Sequence, residues 1–147
     1  MFAQIAAHVT LVYPREAPSA AALVERLRTM APRIRPFRLR LGRLACFGRP
    51  EKGVYVQVDD VDGGYASARD RLLRPPWSAW PVVPHVTVVH PRTSARGAEL
   101  WRDGRHTLDP RQFLVTEVAI TAFDGAHWFT VDTFTLQGRA VGPTPAT

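Results

Sequence analysis

The heptapeptide His8–Pro14 reads HVTLVYP, and His85–Pro91 reads HVTVVHP. A β-branched run that closes on proline is a strand that stops where its next amide is missing. Writing it twice constrains the fold more than any bulk property, because whatever surrounds one copy needs a counterpart around the other. The surroundings do repeat. His8 to Phe37 spans 29 positions and His85 to Phe113 spans 28, while Phe37–Phe47 and Phe113–Phe123 are both 10 positions apart. Each heptapeptide is followed by a helical stretch and then a hairpin, so one strand–helix–hairpin unit is written twice. The expected fold is α+β and bilobal, with two antiparallel sheets facing across a central cleft and a pseudo-two-fold axis between them. A single domain spans 1–147, with lobe one at about 1–60, lobe two at about 61–138 and a frayed tail at 139–147.

The individual elements follow from spacing. Ser19 is a helix N-cap, Leu23, Val24, Leu27 and Met30 fall at helical intervals, and Pro32 and Pro36 forbid continuation. FRLRLGRLACFG alternates, with Phe37, Leu39 and Leu41 on one face and Arg38 and Arg40 on the other. A turn over Arg49–Gly53 leads to the returning strand GVYVQVDD. A second helix runs from roughly Tyr65 to Leu73 and ends before Pro75 and Pro76. After the second heptapeptide comes a short helix capped by Thr93 or Ser94 and docked by Leu100 and Trp101, with Gly97 weakening it. RQFLVTEVAITAFDGAHWFTVDTFTLQG reads as two strands joined through Asp124-Gly125.

Composition removes several classes of function. With 46% hydrophobic and 22% charged residues the chain is soluble and globular rather than disordered. No apolar run approaches the ~20 residues of a membrane span. No basic stretch precedes an apolar one at the N-terminus, so a cytoplasmic address is expected. Cys46 is the lone cysteine, which leaves no internal disulfide and reads as a small buried hydrophobe. The net charge of +6 is almost all arginine, dispersed along the chain, with Lys52 the only lysine. Such a balance permits phosphate or nucleic-acid partners without specifying one.

The chemistry sits in the duplicated motif. Along a strand, residues i and i+2 share a face, so His8, Thr10 and Val12 point together while Val9 and Leu11 enter a core. His85, Thr87 and Val89 do the same against Val86 and Val88. Two such strands face to face supply two imidazoles and two hydroxyls around one cleft. That set suits phosphodiester chemistry: histidine near neutral pH can take or give a proton, and hydroxyl donors can steady phosphate oxygens. A His–apolar–Thr–apolar tetrapeptide arises by chance on the order of once per hundred chains of this length. Two at equivalent places in a repeat are much rarer. No metal site and no cofactor are expected. His85 and His90 differ by an odd offset and so face opposite ways on a strand, and HExxH, CxxC, GxSxG and a phosphate-loop motif are all missing from the sequence. His106 and His127 sit beside turn residues and are expected at the surface. Tyr13 and His90, the matching sixth positions of the heptapeptides, are candidates for the cleft rim.

The paired motifs His8-Val9-Thr10-Leu11 and His85-Val86-Thr87-Val88 resemble those of the two-histidine (2H) phosphoesterase superfamily. That group includes proteins named for 2′-5′ RNA ligase activity and RNA cyclic phosphodiesterases. The strands FRLRLGRLACFG and FLVTEVAITAFDG resemble the segments that follow each motif, so the resemblance covers nearly the whole chain. It implies metal-independent hydrolysis of a 2′,3′-cyclic phosphate or a related nucleotide or RNA phosphodiester, with one histidine of His8 and His85 as base and the other as acid, and Thr10 and Thr87 holding phosphate oxygens. His85 as base and His8 as acid is the preferred assignment, and near-symmetry leaves the exchanged one open. The implied partner is a nucleotide or an RNA with a cyclic phosphate end, with no membrane and a monomer favoured. A nucleotide- or RNA-binding module of the same fold, and 2′-5′ RNA ligation, are the competing expectations. Members usually carry a strand and helix before the first motif. Here GVYVQV and the Tyr65–Leu73 helix supply them for the second motif only, so an exposed sheet edge or a loose first lobe is expected. Polar residues common two places beyond the threonine in RNA-processing members are Val12 and Val89 here, which implies a smaller, drier cleft.

Overall fold

The computed structural model describes residues 5–48, 53–92, 94–104 and 109–139. Its helices are α1 (Ala20–Met30), followed by a 3-10 turn at Ala31–Arg33, α2 (Gly64–Leu72) and α3 (Gly97–Gly104). Its strands are β1 (Phe37–Phe47), β2 (Gly53–Asp60), β3 (His85–Val89), β4 (Gln112–Val115), β5 (Glu117–Phe123) and β6 (Trp128–Thr135). The fold is mixed α+β with two antiparallel sheets, one of four strands in the order β3-β2-β1-β4 and one of two, β5-β6. The larger sheet takes β1 and β2 from the first sequence repeat and β3 and β4 from the second. The two repeats are thus interlaced through it.

Most elements form where their sequence signals lie. Ser19 Oγ accepts from Ala22 N–H at 3.1 Å and caps α1. Leu27 of that helix is buried, and Leu23, Val24 and Met30 pack against the same core. Ser94 Oγ accepts from Arg96 N–H at 3.2 Å just before α3, while Thr93 and most of the Arg49–Gly53 turn lie outside the described residues. Asp124 shapes its turn by accepting from the N–H groups of Ala126 and His127, and Gly125 supplies a positive φ of 102°. The long strand expected after Arg111 is two strands. The chain leaves the four-stranded sheet at Thr116, whose carbonyl accepts from Leu136 N–H at 2.8 Å, and continues as β5 in the second sheet.

The core lies between the two sheets' inner faces and α1 and α2. Leu39, Val58, Ala68, Leu72, Ile120, Phe134 and Leu136 belong to one buried cluster. On β2, Val54, Val56 and Val58 point into the interior, and Tyr55, Gln57 and Asp59 to the opposite face. The second sheet ends at β6, whose outer edge no strand covers among the described residues. Phe129 and Val131 on that strand remain about half exposed.

The second helix is fixed with unusual closeness. Asp60 accepts from Tyr65 N–H and Ala66 N–H, and Asp62 from Gly64 N–H, so two carboxylates cap its first turn. A Cβ built on Gly64 would overlap Phe37 Cβ. That contact is with the root of a buried side chain, not a flexible end, so relief requires moving the helix. Gly64→Ala is therefore expected to destabilise by about 1–3 kcal/mol, outweighing the better helix propensity of alanine. A thermal melt no lower than that of the wild type would contradict such close seating of α2 on β1.

Candidate functional site

The two heptapeptides lie side by side and antiparallel. The second is strand β3, held to β2 by the pairs Tyr55↔Thr87, Val56↔Val86 and Gln57↔His85. Val58 N–H adds a bond to Pro84 O at 2.9 Å. The first heptapeptide is not the strand its sequence implies. It makes a single antiparallel bridge, Val9↔Val86, and no ladder. A strand needs a neighbour along its length, and β6, the counterpart of β2, runs elsewhere. Val9 and Val86 are equivalent positions of the repeat. So are Arg38 and Leu114, paired where β1 meets β4. Each pairing joins a residue to its own counterpart, as a two-fold axis relating the halves requires. One step either way from the bridge, antiparallel register sets His8 toward Thr87 and Thr10 toward His85.

The two histidines are held alike. His8 Nδ1 lies 2.8 Å from Ala6 O, and His85 Nδ1 lies 2.8 Å from Val83 O. A carbonyl oxygen only accepts, so Nδ1 carries the hydrogen in both rings and Nε2 holds the lone pair of the neutral imidazole. Their surroundings differ. His8 is exposed and His85 half-buried. The His85 ring stands edge-on to Phe47, with centroids 5.3 Å apart, and packs at 5.1 Å against Tyr55. Thr10 and Thr87 are half-buried.

Beneath the first motif lies a buried ion pair. Glu16 is 3% exposed and Arg69, from α2, 6%. Arg69 Nη2 donates to Glu16 Oε1 and to Trp80 O, and Nη1 to Glu16 Oε2 and to Leu11 O at 2.6 Å. The Glu16 carboxylate also accepts from Tyr13 N–H and Trp80 N–H. Tyr65, one turn before Arg69, donates its hydroxyl to Thr10 O at 2.8 Å. Burial alone would raise the Glu16 pKa. The Arg69 guanidinium and the two backbone donors outweigh it and hold the carboxyl below its usual range. Burial pushes the Tyr65 phenol up to about 12.

The remaining candidates are scattered. Tyr13 is half-buried beside the ion pair, and burial raises its phenol pKa. His90 is exposed just past β3, and its Nδ1 accepts from Arg92 N–H at 3.2 Å. His127 is exposed in the Asp124 turn, and His106 lies outside the described residues. Cys46 is half-buried within β1 rather than fully buried. The expected inward Val88 is 47% exposed and the expected cleft-facing Val89 is buried, because a bulge between Val54 and Tyr55 inserts Val88 as an unpaired residue and reverses the alternation. Val12 packs against the core instead of sharing an open face with His8 and Thr10.

Phe47, Tyr55, Glu16, Tyr65 and Arg69 were not singled out as site residues in the sequence. Tyr55 alone had a usable signal, since alternation in GVYVQVDD sets it opposite the buried valines. A concavity of about 630 Å³ lies elsewhere, between α1 and the turn after α2, lined by Arg26, Arg71, Arg74 and Trp77 among others. No described helix is long and apolar enough to cross a membrane.

The sequence model of the 2′-5′ RNA ligase superfamily matches residues 1–127. No protein of curated function matches the chain. Among solved structures that share its fold are three at 19% identity each. TT0787 of Thermus thermophilus aligns with a TM-score of 0.56 over 91% of this chain and 80% of its own. A phosphoesterase and Escherichia coli LigT complexed with 3′-AMP each align with a TM-score of 0.58, over 89% of this chain and 77% of theirs.

Proposed function

Because the chain belongs to the 2′-5′ RNA ligase superfamily, we propose that it is a phosphoesterase that opens a 2′,3′-cyclic phosphate on a nucleotide or RNA end without a metal, using His8 and His85. The observation that carries this reading is the matched tethering of the two imidazoles, each bound through Nδ1 to the carbonyl two residues before it. Each ring then offers Nε2 to a substrate. In the proposed reaction His85 Nε2 takes a proton from water as its oxygen bonds to phosphorus. The bond from phosphorus to one ribose oxygen breaks, and protonated His8 gives that oxygen its proton. The Thr10 and Thr87 hydroxyls hold the non-bridging oxygens through the charge build-up. Tyr13 and His90 remain candidates for the rim. LigT was solved with 3′-AMP, a nucleoside monophosphate of the kind such a ring-opening releases, and this supports a nucleotide ligand.

A second reading rests on the single bridge at Val9. A first motif without a ladder favours a module that binds the nucleotide with little turnover. Ligation through a 2′-5′ linkage, the reverse reaction at the same groups, is the third. One assay separates the first two: protein in chelator, offered nucleoside 2′,3′-cyclic monophosphates and a short RNA with a cyclic phosphate end. Hydrolysis that survives chelation and has a bell-shaped pH profile supports the first reading. Saturable binding with no product supports the second. Chelator-sensitive turnover would overturn the metal-free mechanism.

A further inference from the structure

The two copies of the motif are held in position by different means. The second is fixed by backbone pairing along β2. The first has one bridge, and two of its successive carbonyls are held by side chains of α2 instead: Thr10 O by the Tyr65 hydroxyl and Leu11 O by the Arg69 guanidinium. The same guanidinium, with Glu16, grips both Trp80 O and Trp80 N–H on the segment leading to β3. One helix face therefore touches the first motif directly and the approach to the second. Tyr65 and Arg69 are both buried, and none of their buried polar atoms lacks a partner.

We infer that Tyr65 and Arg69 are positioning residues for the His8–Thr10 half of the site, taking the place of the strand ladder that the other half has. The inference rests on the proposed reading for its catalytic consequence but not for its geometric one. It explains how an irregular segment can hold an imidazole and a hydroxyl still. Thr10 carries the candidate phosphate ligand, and its own carbonyl is the atom Tyr65 fixes. Misplacing such a group by an ångström costs on the order of 100-fold in rate.

Arg69→Ala strands a buried carboxylate and is expected to compromise folding, so the informative variant is Tyr65→Phe, which keeps the packed ring and removes the one hydroxyl. Two quantities are read: kcat on a 2′,3′-cyclic nucleotide, and the ring signals of His8 and His85 by NMR, assigned with His→Gln variants. The expected result is a folded protein with kcat lowered roughly 10-fold to 100-fold and with His8 ring signals displaced while those of His85 stay in place. Arg69→Lys, which keeps the charge opposite Glu16 but loses the forked donor, is expected to move the same His8 signals. A merely structural role would shift both histidines together or neither. His8 signals unmoved in folded Tyr65→Phe overturn the inference whatever the activity. Wild-type protein without turnover, but with the His8-specific displacement intact, overturns the proposed reaction and leaves the positioning role standing.

Discussion

His8→Ala and His85→Ala are each expected to lower turnover of a 2′,3′-cyclic phosphate by roughly 10²–10⁴, the range for a general acid or base. Neither change should threaten the fold: His8 is exposed, and half-buried His85 loses ring contacts with Phe47 and Tyr55 and one local bond to Val83 O. The double variant should be little worse than the poorer single one, because an acid and a base that act in one step fail together. The pH profile adds a second reading. Each single variant should lose one limb of the bell, and the limb lost identifies acid and base. Circular dichroism establishes that each variant is folded before rates are compared. A double variant as active as the wild type would falsify the two-histidine mechanism.

The largest stability effect is expected at Glu16 and Arg69. Removing either partner leaves the other charged and buried, at a cost of about 3–5 kcal/mol, a large part of a typical domain's stability. Replacing both by apolar residues should recover only part of this, because Tyr13 N–H, Trp80 N–H, Leu11 O and Trp80 O would lose their partners as well. The pair also sets an acid limit. The Glu16 carboxyl is held below its usual value, so its contribution is complete above the unfolded pKa of about 4.3. It is lost as pH falls through the folded value. Thermal midpoints of wild type should therefore drop in this acid range, and Glu16→Gln should flatten that part of the curve from a lower starting point. Equal pH dependence in both proteins would place the acid transition on another carboxylate.

The repeat was legible because side-chain periodicity is local. Ser19, the α1 apolar stripe, the alternation of β2 and the Asp124 turn each depend on residues within a few positions of one another. What a strand pairs with is not local. HVTLVYP and HVTVVHP have nearly the same propensity, yet only the second finds β2 beside it, so one becomes a strand and the other a bridged loop. Val88 and Val89 exchange places for the same kind of reason, since the bulge belongs to the pairing of β3 with β2. Arg69 was hidden most completely. In ASARDRLL it reads as one charge of a solvated helix face, and its partner lies 53 residues away. The candidate site was therefore readable in its histidines and threonines, and unreadable in what holds them.

The pairings of Val9 with Val86 and of Arg38 with Leu114 give the centre of the molecule a palindromic character. Under the proposed reaction, a palindrome of imidazole and hydroxyl has no intrinsic sense. Turned about the axis, a cyclic phosphate meets the same groups, with the donor and the acceptor of the proton exchanged. The motifs alone therefore give no preference between the 2′ and 3′ ribose oxygens as leaving group. Regiochemistry has to come from whatever breaks the palindrome, and the features that do so are unequal walls: Phe47 and Tyr55 pack against the half-buried His85 ring, while among the described residues His8 is exposed. The choice of product is then a property of how the nucleoside lies against those rings, and it can change while the acid and base stay as they are.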